Sequence, residues 1–333
     1  MATSETGSAP LLKLSDIQRP IAKDLERFER EFRRSVKSNV ALLDRVMYYI
    51  VKRKGKQVRP MFVLLSAQMH GGVKESTHVA ASLIELLHTA TLVHDDVVDD
   101  APTRRGFFSI NHLWKNKVAV LVGDYLLAKG LLLSLERNAT QILQITANAV
   151  QEMSEGELLQ MEKARKLDIS EEVYFEIIRR KTASLIASAC AAGTASVTSD
   201  EETIKQMQRF GELIGIAFQI KDDLFDFGTA DIGKPTGIDI KERKMTLPLI
   251  YALANASRAE KRRIIYIVKN QSDDRAKVEE VVDFVRKSGG LQYAEDAMYR
   301  YQEEAFQILE AMPHNEARES LNQLVRFVTE RVK

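Results

Sequence analysis

The stretch ESTHVAASLIELLHTATLVHDDVVDD, residues 75–100, decides the fold class. Its apolar side chains recur at three- and four-residue intervals, without the sustained two-residue alternation of a half-buried β-strand. The same spacing recurs in the segments 117–135, 139–164, 171–193, 202–227, 272–287 and 290–311. The sequence therefore predicts an all-α protein built as a helical bundle.

The breaks between these segments are short. They fall at 71–72, at 102–106 and at 228–239, and none has the composition of a domain linker. We therefore expect residues 11–333 to form a single helical domain. Residues 1–10 are rich in Ser, Thr, Gly and Ala and lack the apolar core of a signal peptide, so we expect a disordered N-terminal tail.

The composition excludes several classes of partner and location. Lys plus Arg number 48 and Asp plus Glu 47, a formal net charge of +1, which argues against a nucleic-acid partner. The single cysteine, Cys190, excludes an internal disulfide and fits a reducing compartment, so we expect a cytoplasmic protein. The most apolar stretch, 118–135, contains Asp124 and Lys129 and falls short of an uninterrupted span of about 20 apolar residues. We predict no transmembrane segment.

Two acidic clusters share the pattern Asp-Asp-x-x-Asp: Asp95, Asp96 and Asp99 in the first, and Asp222, Asp223 and Asp226 in the second. On an α-helix, the first and last aspartates of each cluster lie on one face, where they repel each other unless a cation lies among them. Mg²⁺ prefers oxygen ligands and is usually held by one or two carboxylates together with substrate phosphate oxygens. A lone copy would also suit a solvated helix end, but two copies indicate a magnesium-dependent site for phosphate esters.

Basic residues that could neutralise phosphates lie close to both clusters in the sequence. Arg104 and Arg105 follow the first cluster, and Lys56 and Arg59 precede a predicted helix, whose N-terminal amides also favour anions. Further candidates are Lys181 with Thr182, Lys221, Lys234 and Lys244. Any one of these lysines alone would be read as an ordinary surface residue, but together the basic groups are enough to bind two separate diphosphates.

In these residues the chain resembles the trans-isoprenyl diphosphate synthases, the chain-elongating prenyltransferases that include farnesyl, geranylgeranyl, octaprenyl and other polyprenyl diphosphate synthases. The resemblance runs from about residue 56 to residue 248. It rests on an ordered set of motifs: GKxxRP at 55–60, His88 with LVHDDxxD at 92–99, RRG at 104–106, GDYL at 123–126, KT at 181–182, FQIKDDxxD at 218–226 and GKPxGxD at 233–239. The chain departs from the pattern at Phe107–Phe108, where relatives often have a proline.

The resemblance implies a bundle around a deep central cavity and assigns roles to single residues. It implies several Mg²⁺ ions that bridge an allylic diphosphate to Asp95, Asp99 and Asp222, with Asp96, Asp223 and Asp226 in support. The residues implied to hold the allylic diphosphate are Arg104, Lys181, Thr182, Gln219, Lys234 and Lys244. Those implied to hold isopentenyl diphosphate are Lys56, Arg59, His88 and Arg105. The implied reaction ionises the allylic diphosphate, adds isopentenyl diphosphate to the cation and loses a proton to the released diphosphate.

The product length is predicted from the residues just before the first cluster. Ala90 and Thr91 are small, whereas short-chain members of the family often carry an aromatic floor at one of these two places. One helical turn rises about 5.4 Å, which is comparable to the length of one isoprene unit. Because no bulky side chain on this face of the helix would stop the growing chain, the sequence predicts a long-chain all-trans product. The alternative is a short-chain synthase whose floor comes from another helix, within 139–164 or 171–193.

Other functions stay open on the sequence alone. A class I terpene cyclase would carry the first cluster but an Asn/Ser/Glu-type second motif. A non-catalytic synthase subunit would typically lack some of the aspartates or arginines, and a metal-dependent phosphohydrolase is suggested only by the pair His94–Asp95. The family also implies a homodimer, for which the apolar segment 117–135 is a candidate interface.

Overall fold

The apolar periodicity of the chain is realised as helices. The computed structural model describes residues 13–53, 55–104, 106–164, 167, 169–228 and 237–330. In these ranges the α-helices, numbered in chain order, are α1 Leu14–Gln18, α2 Ala22–Ser35, α3 Ala41–Lys52, α4 Val58–Met69, α5 Glu75–Val98, α6 Ile110–Glu136, α7 Thr140–Ala164, α8 Glu171–Ile178, α9 Ser184–Ala195, α10 Glu201–Asp226, α11 Ile238–Lys241, α12 Leu247–Ala254, α13 Arg258–Asn270, α14 Arg275–Lys287, α15 Gly290–Glu310 and α16 Glu316–Thr329. The predicted all-α fold is confirmed. The predicted tail, residues 1–10, lies outside the described residues.

Local capping fixes where the long helix α10 begins. The carboxylate of Asp200 accepts hydrogen bonds from the backbone N–H groups of Glu202 and Thr203. These bonds satisfy two of the donors that the first turn of a helix leaves without an intrahelical partner. A fixed start sets the register of the 26-residue helix, whose far end carries Asp222 and Asp226.

Two hydrophobic clusters form the core, and α10 contributes to both. The larger cluster joins α1 to α7, α9, α15 and α16, and it includes Phe210 and Ile214 of α10. The smaller cluster joins α8, α11 to α14 and the first half of α15, and it includes Ile216 and Ile220 of α10. Sharing one central helix agrees with a single domain over residues 11–333, which stays a prediction. It also means that the acidic end of α10 is anchored by both clusters.

A π-helical turn, Arg179–Ala183, interrupts the segment 171–193, which the sequence predicts as one helix. Two glycines on flanking helices leave room for it. A Cβ atom at Gly156 of α7 would lie 2.8 Å from the backbone nitrogen of Lys181, and one at Gly215 of α10 would lie 2.4 Å from the Cα atom of Ala183. Since real Cβ contacts are not that short, neither helix could approach the turn this closely with a larger residue.

A β-hairpin follows α5, in a region that the sequence predicts only as a break between helices. Its strands, β1 Thr103–Arg104 and β2 Phe107–Phe108, pair antiparallel, with Arg104 opposite Phe107. Gly106 has φ +78°, a backbone conformation that glycine adopts without strain. The hairpin places Arg104 directly beside the end of α5.

Helix α6 is apolar and only partly covered. By length and composition it is the one helix in the described ranges that could cross a membrane, and 33% of its most apolar window is buried. One side of it packs closely on α5: a Cβ atom at Gly123 would fall 2.1 Å from Nε2 of His94, and one at Gly130 would fall 2.8 Å from Cδ1 of Leu83. The expected absence of a transmembrane segment stays a prediction.

Candidate active site

The first acidic cluster lies at the C-terminal end of α5. Asp96 is buried, and its carboxylate accepts a hydrogen bond from Nε of Arg104 at 2.5 Å. Asp95 is half-buried and Asp99 is exposed. Burial raises the pKa of Asp95, and the negative charge of Glu157 raises it further. The surroundings of Asp95 therefore disfavour its negative charge, which a cation bound there would stabilise.

The three aspartates of the second cluster differ in their surroundings, and Asp223 is the most enclosed. Its carboxylate accepts hydrogen bonds from Oη of Tyr174 at 2.7 Å, from Nε2 of Gln219 at 3.0 Å and from the backbone N–H of Leu247 at 3.4 Å. Burial raises the pKa of Asp223 to about 7, although these hydrogen bonds oppose the shift. Asp223 therefore ties α8 and the start of α12 to α10.

Asp226 caps the short helix α11. Its two carboxylate oxygens accept hydrogen bonds from the backbone N–H groups of Ile238 at 2.7 Å and Asp239 at 3.2 Å. This cap brings Asp239 beside the cluster, where burial and then the charge of Asp226 raise the pKa of Asp239 to about 6. Asp222 is half-buried on the same turn of α10. Asp223 and Asp226 thus shape the site through protein contacts.

A cavity of about 530 Å³, here called the acidic cavity, opens between the ends of α5 and α10. The predicted site residues among its walls are Asp99, Lys181, Thr182, Gln219, Asp223 and Lys244. Its apolar walls include Ile177, Ile178 and Met245. The structure therefore brings together most of the residues that the resemblance assigns to the allylic diphosphate.

Lys181 and Thr182 reach the acidic cavity from the π-helical turn. Nζ of Lys181 forms an ion pair with Glu157 of α7 and donates a hydrogen bond to Oε1 of Gln160 at 3.4 Å. Oγ1 of Thr182 donates to Oε1 of Gln219 at 2.9 Å. A π-helical turn shifts the direction of the side chains that follow it, and such turns are frequent at functional sites. The turn therefore sets where both side chains point.

Lys244 reaches the same cavity from the loop after α11. Its Nζ lies 2.5 Å from a carboxylate oxygen of Glu242 and 3.7 Å from one of Asp239. Burial lowers the pKa of Lys244, but the contacts with Glu242 and Asp239 outweigh it and raise that pKa. Lys244 therefore keeps its positive charge near the second cluster.

A second cavity of about 320 Å³, here called the basic cavity, is lined by Lys56, Arg59 and His88. Nη1 of Arg59, in the first turn of α4, lies 2.9 Å from Nε2 of His88 on α5. Arginine has no acceptor, so Nε2 of His88 accepts this hydrogen bond and the neutral ring carries its proton on Nδ1. The described residues that the resemblance assigns to isopentenyl diphosphate thus line one cavity, which is distinct from the acidic cavity.

Arg104 lies apart from the other predicted allylic residues. It pairs with Asp96 and lines a third, smaller cavity of about 130 Å³, whose walls also include Arg53, His88 and Phe107. Two more predicted site residues, Arg105 and Lys234, lie outside the described residues.

The predicted chain-length residues, Ala90 and Thr91, lie on α5 between His88 and the first acidic cluster. Ala90 is fully buried in the larger hydrophobic cluster, and Oγ1 of Thr91 donates to the backbone carbonyl oxygen of His88 at 2.9 Å. Neither residue is among those that line the three cavities. Their role in product length stays a prediction.

Three residues of the site were not singled out from the sequence: Tyr174, Glu157 and Asp239. Asp239 ends the motif GKPxGxD, so its position was visible. Tyr174 lies seven residues before Lys181, a spacing that usually places two side chains on one helical face, but the π-helical turn alters that relation. Glu157 carries no signal of its own, because a single glutamate on an amphipathic helix is usually solvated.

The donor atoms of the two clusters fit a hard divalent cation that takes further ligands from a substrate. In the part of the chain that the structure describes, no group of three or more His, Cys, Asp or Glu side chains could hold a metal ion by itself. Mg²⁺ is usually bound through one or two carboxylates, with phosphate oxygens and water completing its shell. Carboxylates from two helix ends beside one cavity suit that requirement.

The architecture and the site define a class of protein before any relative is considered. An all-α bundle presents two aspartate clusters beside a cavity that also contains lysines, and a second, basic cavity lies close by. This is an enzyme of the isoprenoid synthase fold. The sequence pattern described as Polyprenyl synthetase matches residues 40–285, and the chain belongs to that family.

Individual relatives match along nearly the whole chain. The heptaprenyl diphosphate synthase component 2 of Geobacillus stearothermophilus is 34% identical over 96% of this chain and 99% of its own length. The crystal structure of a decaprenyl diphosphate synthase from Rhodobacter capsulatus superposes with a TM-score of 0.92 at 34% identity, covering 96% of this chain and 100% of that one. A polyprenyl synthase from Caulobacter crescentus, complexed with calcium and isoprenyl diphosphate, has a TM-score of 0.89 at 31% identity and covers 98% and 100%.

Short-chain enzymes match as well. The geranylgeranyl diphosphate synthase of Saccharolobus solfataricus is 32% identical over 90% of this chain and 93% of its own length. Together these relatives identify the activity as that of a polyprenyl diphosphate synthase, a chain-elongating trans-prenyltransferase. The predicted family and reaction are confirmed, which decides against the cyclase and the phosphohydrolase.

Proposed function

We propose that the acidic cavity holds the allylic diphosphate together with Mg²⁺, and that the basic cavity holds isopentenyl diphosphate. The observation that carries this proposal is the division of the cationic residues. Lys181 and Lys244 line the acidic cavity, whereas Lys56 and Arg59 line the basic one. Two diphosphates bound side by side need separate neutralising groups, because each carries several negative charges.

Asp95, Asp99 and Asp222 are the residues that would hold Mg²⁺. When bound, Mg²⁺ supplies positive charge that stabilises the departing diphosphate, which lowers the barrier to breaking the allylic C–O bond. A site for a hard divalent cation such as Mg²⁺ is supported by the all-oxygen donor set and by the relative crystallised with calcium and isoprenyl diphosphate. The other three aspartates support the site through protein contacts. Asp96 holds Arg104, and Asp223 accepts hydrogen bonds from Tyr174 and Gln219. Asp226 caps α11.

The protein residues contribute charge, position and exclusion of water. Lys181 and Lys244 donate hydrogen bonds to the allylic diphosphate. Thr182 donates its single hydroxyl proton to Gln219 in this structure, so it would donate to the diphosphate only by exchanging that bond for one to a phosphate oxygen. Ile177, Ile178 and Met245 form a wall from which water is excluded, so that the cation meets the double bond of isopentenyl diphosphate first. His88 positions that second substrate with Arg59, because its Nε2 already accepts a hydrogen bond and is not available as a base.

The proposed product is a long-chain all-trans polyprenyl diphosphate. Ala90 and Thr91 leave no bulky side chain on the turn of α5 before the first cluster, and the relatives named above include heptaprenyl and decaprenyl synthases. The test is extension of farnesyl diphosphate with isopentenyl diphosphate and Mg²⁺, followed by chain-length analysis. Wild type should pass the geranylgeranyl stage, Ala90→Phe should shorten the product and Ala90→Ser, which stays small, should not. A wild-type product that stops at geranylgeranyl diphosphate contradicts the proposal.

The proposed assembly is a homodimer through the open face of α6. Leu121, Leu132 and Leu135 are 67%, 54% and 57% exposed, although each is large and apolar. A contiguous apolar face of this kind usually marks an interface. Leu121→Glu with Leu132→Glu should convert a dimer to a monomer in light-scattering measurements.

The same purified chain tests whether a second component is required, since the Geobacillus relative is named as one component of its enzyme. Extension by the chain alone shows that no second component is required, whereas an inactive chain supports a subunit that needs a partner. The cytoplasmic location expected from the single cysteine and the absence of a nucleic-acid partner both stay predictions.

A further inference from the structure

The hairpin that carries Arg104 is too small to hold its own shape. Each strand has two residues, Thr103–Arg104 and Phe107–Phe108. Even a longer isolated two-stranded hairpin is marginal in water, so contacts from elsewhere must fix this one. Fixing it matters, because Arg104 reaches Asp96 of the first cluster from this hairpin.

The end of α3 supplies those contacts. Oη of Tyr49 donates a hydrogen bond to the backbone carbonyl oxygen of Phe108 at 2.7 Å. The guanidinium carbon of Arg53 lies 3.3 Å from the ring centroid of Tyr49 and 4.4 Å from that of Phe107. Arg53 is therefore sandwiched between an aromatic ring of α3 and one of the hairpin. A planar guanidinium stacks on two rings in a way that a lysine ammonium cannot.

The hydrogen bonding of Arg53 also points to stacking as its role. Nη1 of Arg53 is buried and has no hydrogen-bond partner among the described residues. A buried donor without a partner is costly, so the aromatic contacts must favour this position strongly. Tyr49 is itself braced, because its ring packs edge-on against Trp114 of α6 with centroids 5.1 Å apart. The sandwich thus links α3 and α6 to the hairpin.

We propose that Arg53 is a positioning residue: with Tyr49 and Phe107 it latches the hairpin and so holds Arg104 beside the first acidic cluster. Phe107 is one of the two positions at which the sequence departs from the pattern of the family, and the latch gives its ring a function. The inference rests on the proposed function and on the role in holding the allylic diphosphate that the resemblance implies for Arg104, but the latch itself is a structural feature that exists without substrate.

The first experiment measures the latch without any substrate. Trypsin must bind the side chain of Arg104 before it cleaves the following bond, and in the latched hairpin that side chain is paired with Asp96. The initial rate of cleavage after Arg104, followed by mass spectrometry, therefore reports the population in which this pairing is broken. Arg53→Ala and Phe107→Leu should each raise that rate about five- to tenfold. Arg53→Lys should also raise it, because the charge remains but the planar stack is lost. Phe107→Trp, which keeps an aromatic face at this position, should be cleaved at the wild-type rate.

A matched control lies one residue away. Nζ of Lys52 lies 5.8 Å from the ring centroid of Tyr48, an exposed cation–π pair that does not touch the hairpin. Lys52→Ala should leave both the cleavage rate and the kinetics unchanged. Circular dichroism of every variant confirms that the helices are intact.

The second experiment measures the KM for the allylic diphosphate in the same variants. Loss of the latch should raise that KM several-fold and leave the KM for isopentenyl diphosphate less affected. Unchanged cleavage in Arg53→Ala and Phe107→Leu overturns the latch, and a raised KM with unchanged cleavage would instead assign Arg53 to direct contact with substrate. Faster cleavage with an unchanged KM supports the latch and refutes the role in diphosphate binding that the resemblance implies for Arg104.

Discussion

Replacing Gly215 by alanine should displace the π-helical turn and so reduce activity. A Cβ atom at this position would lie 2.4 Å from Cα and 2.6 Å from Cβ of Ala183. Ordinary contacts begin near 3.4 Å, so Gly215→Ala must push the turn away from α10 by about 1 Å. Such overpacking should cost about 1–3 kcal/mol in the free energy of unfolding.

The effect on activity should exceed the effect on stability. Lys181 and Thr182 belong to the turn that moves, and a displacement of about 1 Å at a site that depends on position can reduce the rate about 100-fold. We expect Gly215→Ala to lower kcat/KM for the allylic diphosphate by about 10- to 100-fold. The assay is steady-state extension with saturating isopentenyl diphosphate, with urea unfolding measured in parallel.

Gly193→Ala separates the two effects. A Cβ atom there would lie 2.3 Å from the backbone oxygen of Val63, an equally severe contact between α9 and α4 but away from the π-helical turn. It should lower the free energy of unfolding to a similar extent and leave kcat/KM nearly unchanged. If both variants lose the same stability and both keep their activity, the turn does not position the diphosphate.

Further predictions concern buried groups. Tyr174→Phe removes the 2.7 Å hydrogen bond to Asp223 and should cost about 1–3 kcal/mol in urea unfolding, and a loss below about 0.5 kcal/mol contradicts the network. Burial raises the pKa of Cys190 to about 12, so the native thiol should resist iodoacetamide at pH 8 and react once the protein unfolds; rapid native labelling would disprove its burial. The raised pKa of Asp239, about 6, means that folding favours its protonated form, so its contribution to stability is lost as pH rises from about 4 to 6. Asp239→Asn should therefore raise Tm in metal-free buffer at pH 7.5 but not at pH 4, and equal shifts at both pH values would refute this.

The sequence predicts the long helices well because their apolar spacing is regular. Segment 75–100 is observed as α5, Glu75–Val98, and segment 202–227 as α10, Glu201–Asp226. The π-helical turn could not be predicted in the same way. It depends on Gly156 and Gly215, which lie on two other helices and act only once the bundle is packed.

The candidate site shows a similar division. Residue type and spacing indicated both acidic clusters, but they could not show that the three aspartates of each cluster have different contacts. Only the structure shows that Asp223 is held by Tyr174, 49 residues away, and that Asp226 caps α11, whose first residue lies 12 residues further along the chain. Neither contact follows from the spacing of the aspartates within α10. The latch at Arg53 was invisible for the same reason, because its two aromatic faces come from α3 and from the hairpin.

If the two cavities bind the two diphosphates separately, single substitutions in each cavity should change the KM values of the two substrates differently. Lys181→Ala removes a cation from the acidic cavity and Arg59→Ala one from the basic cavity. Since a charge-assisted hydrogen bond contributes about 1.5–3 kcal/mol, each loss should raise one KM by about 10- to 100-fold. Lys181→Ala should raise mainly the KM for the allylic diphosphate, and Arg59→Ala mainly the KM for isopentenyl diphosphate. Equal increases in both constants for both variants would contradict separate binding.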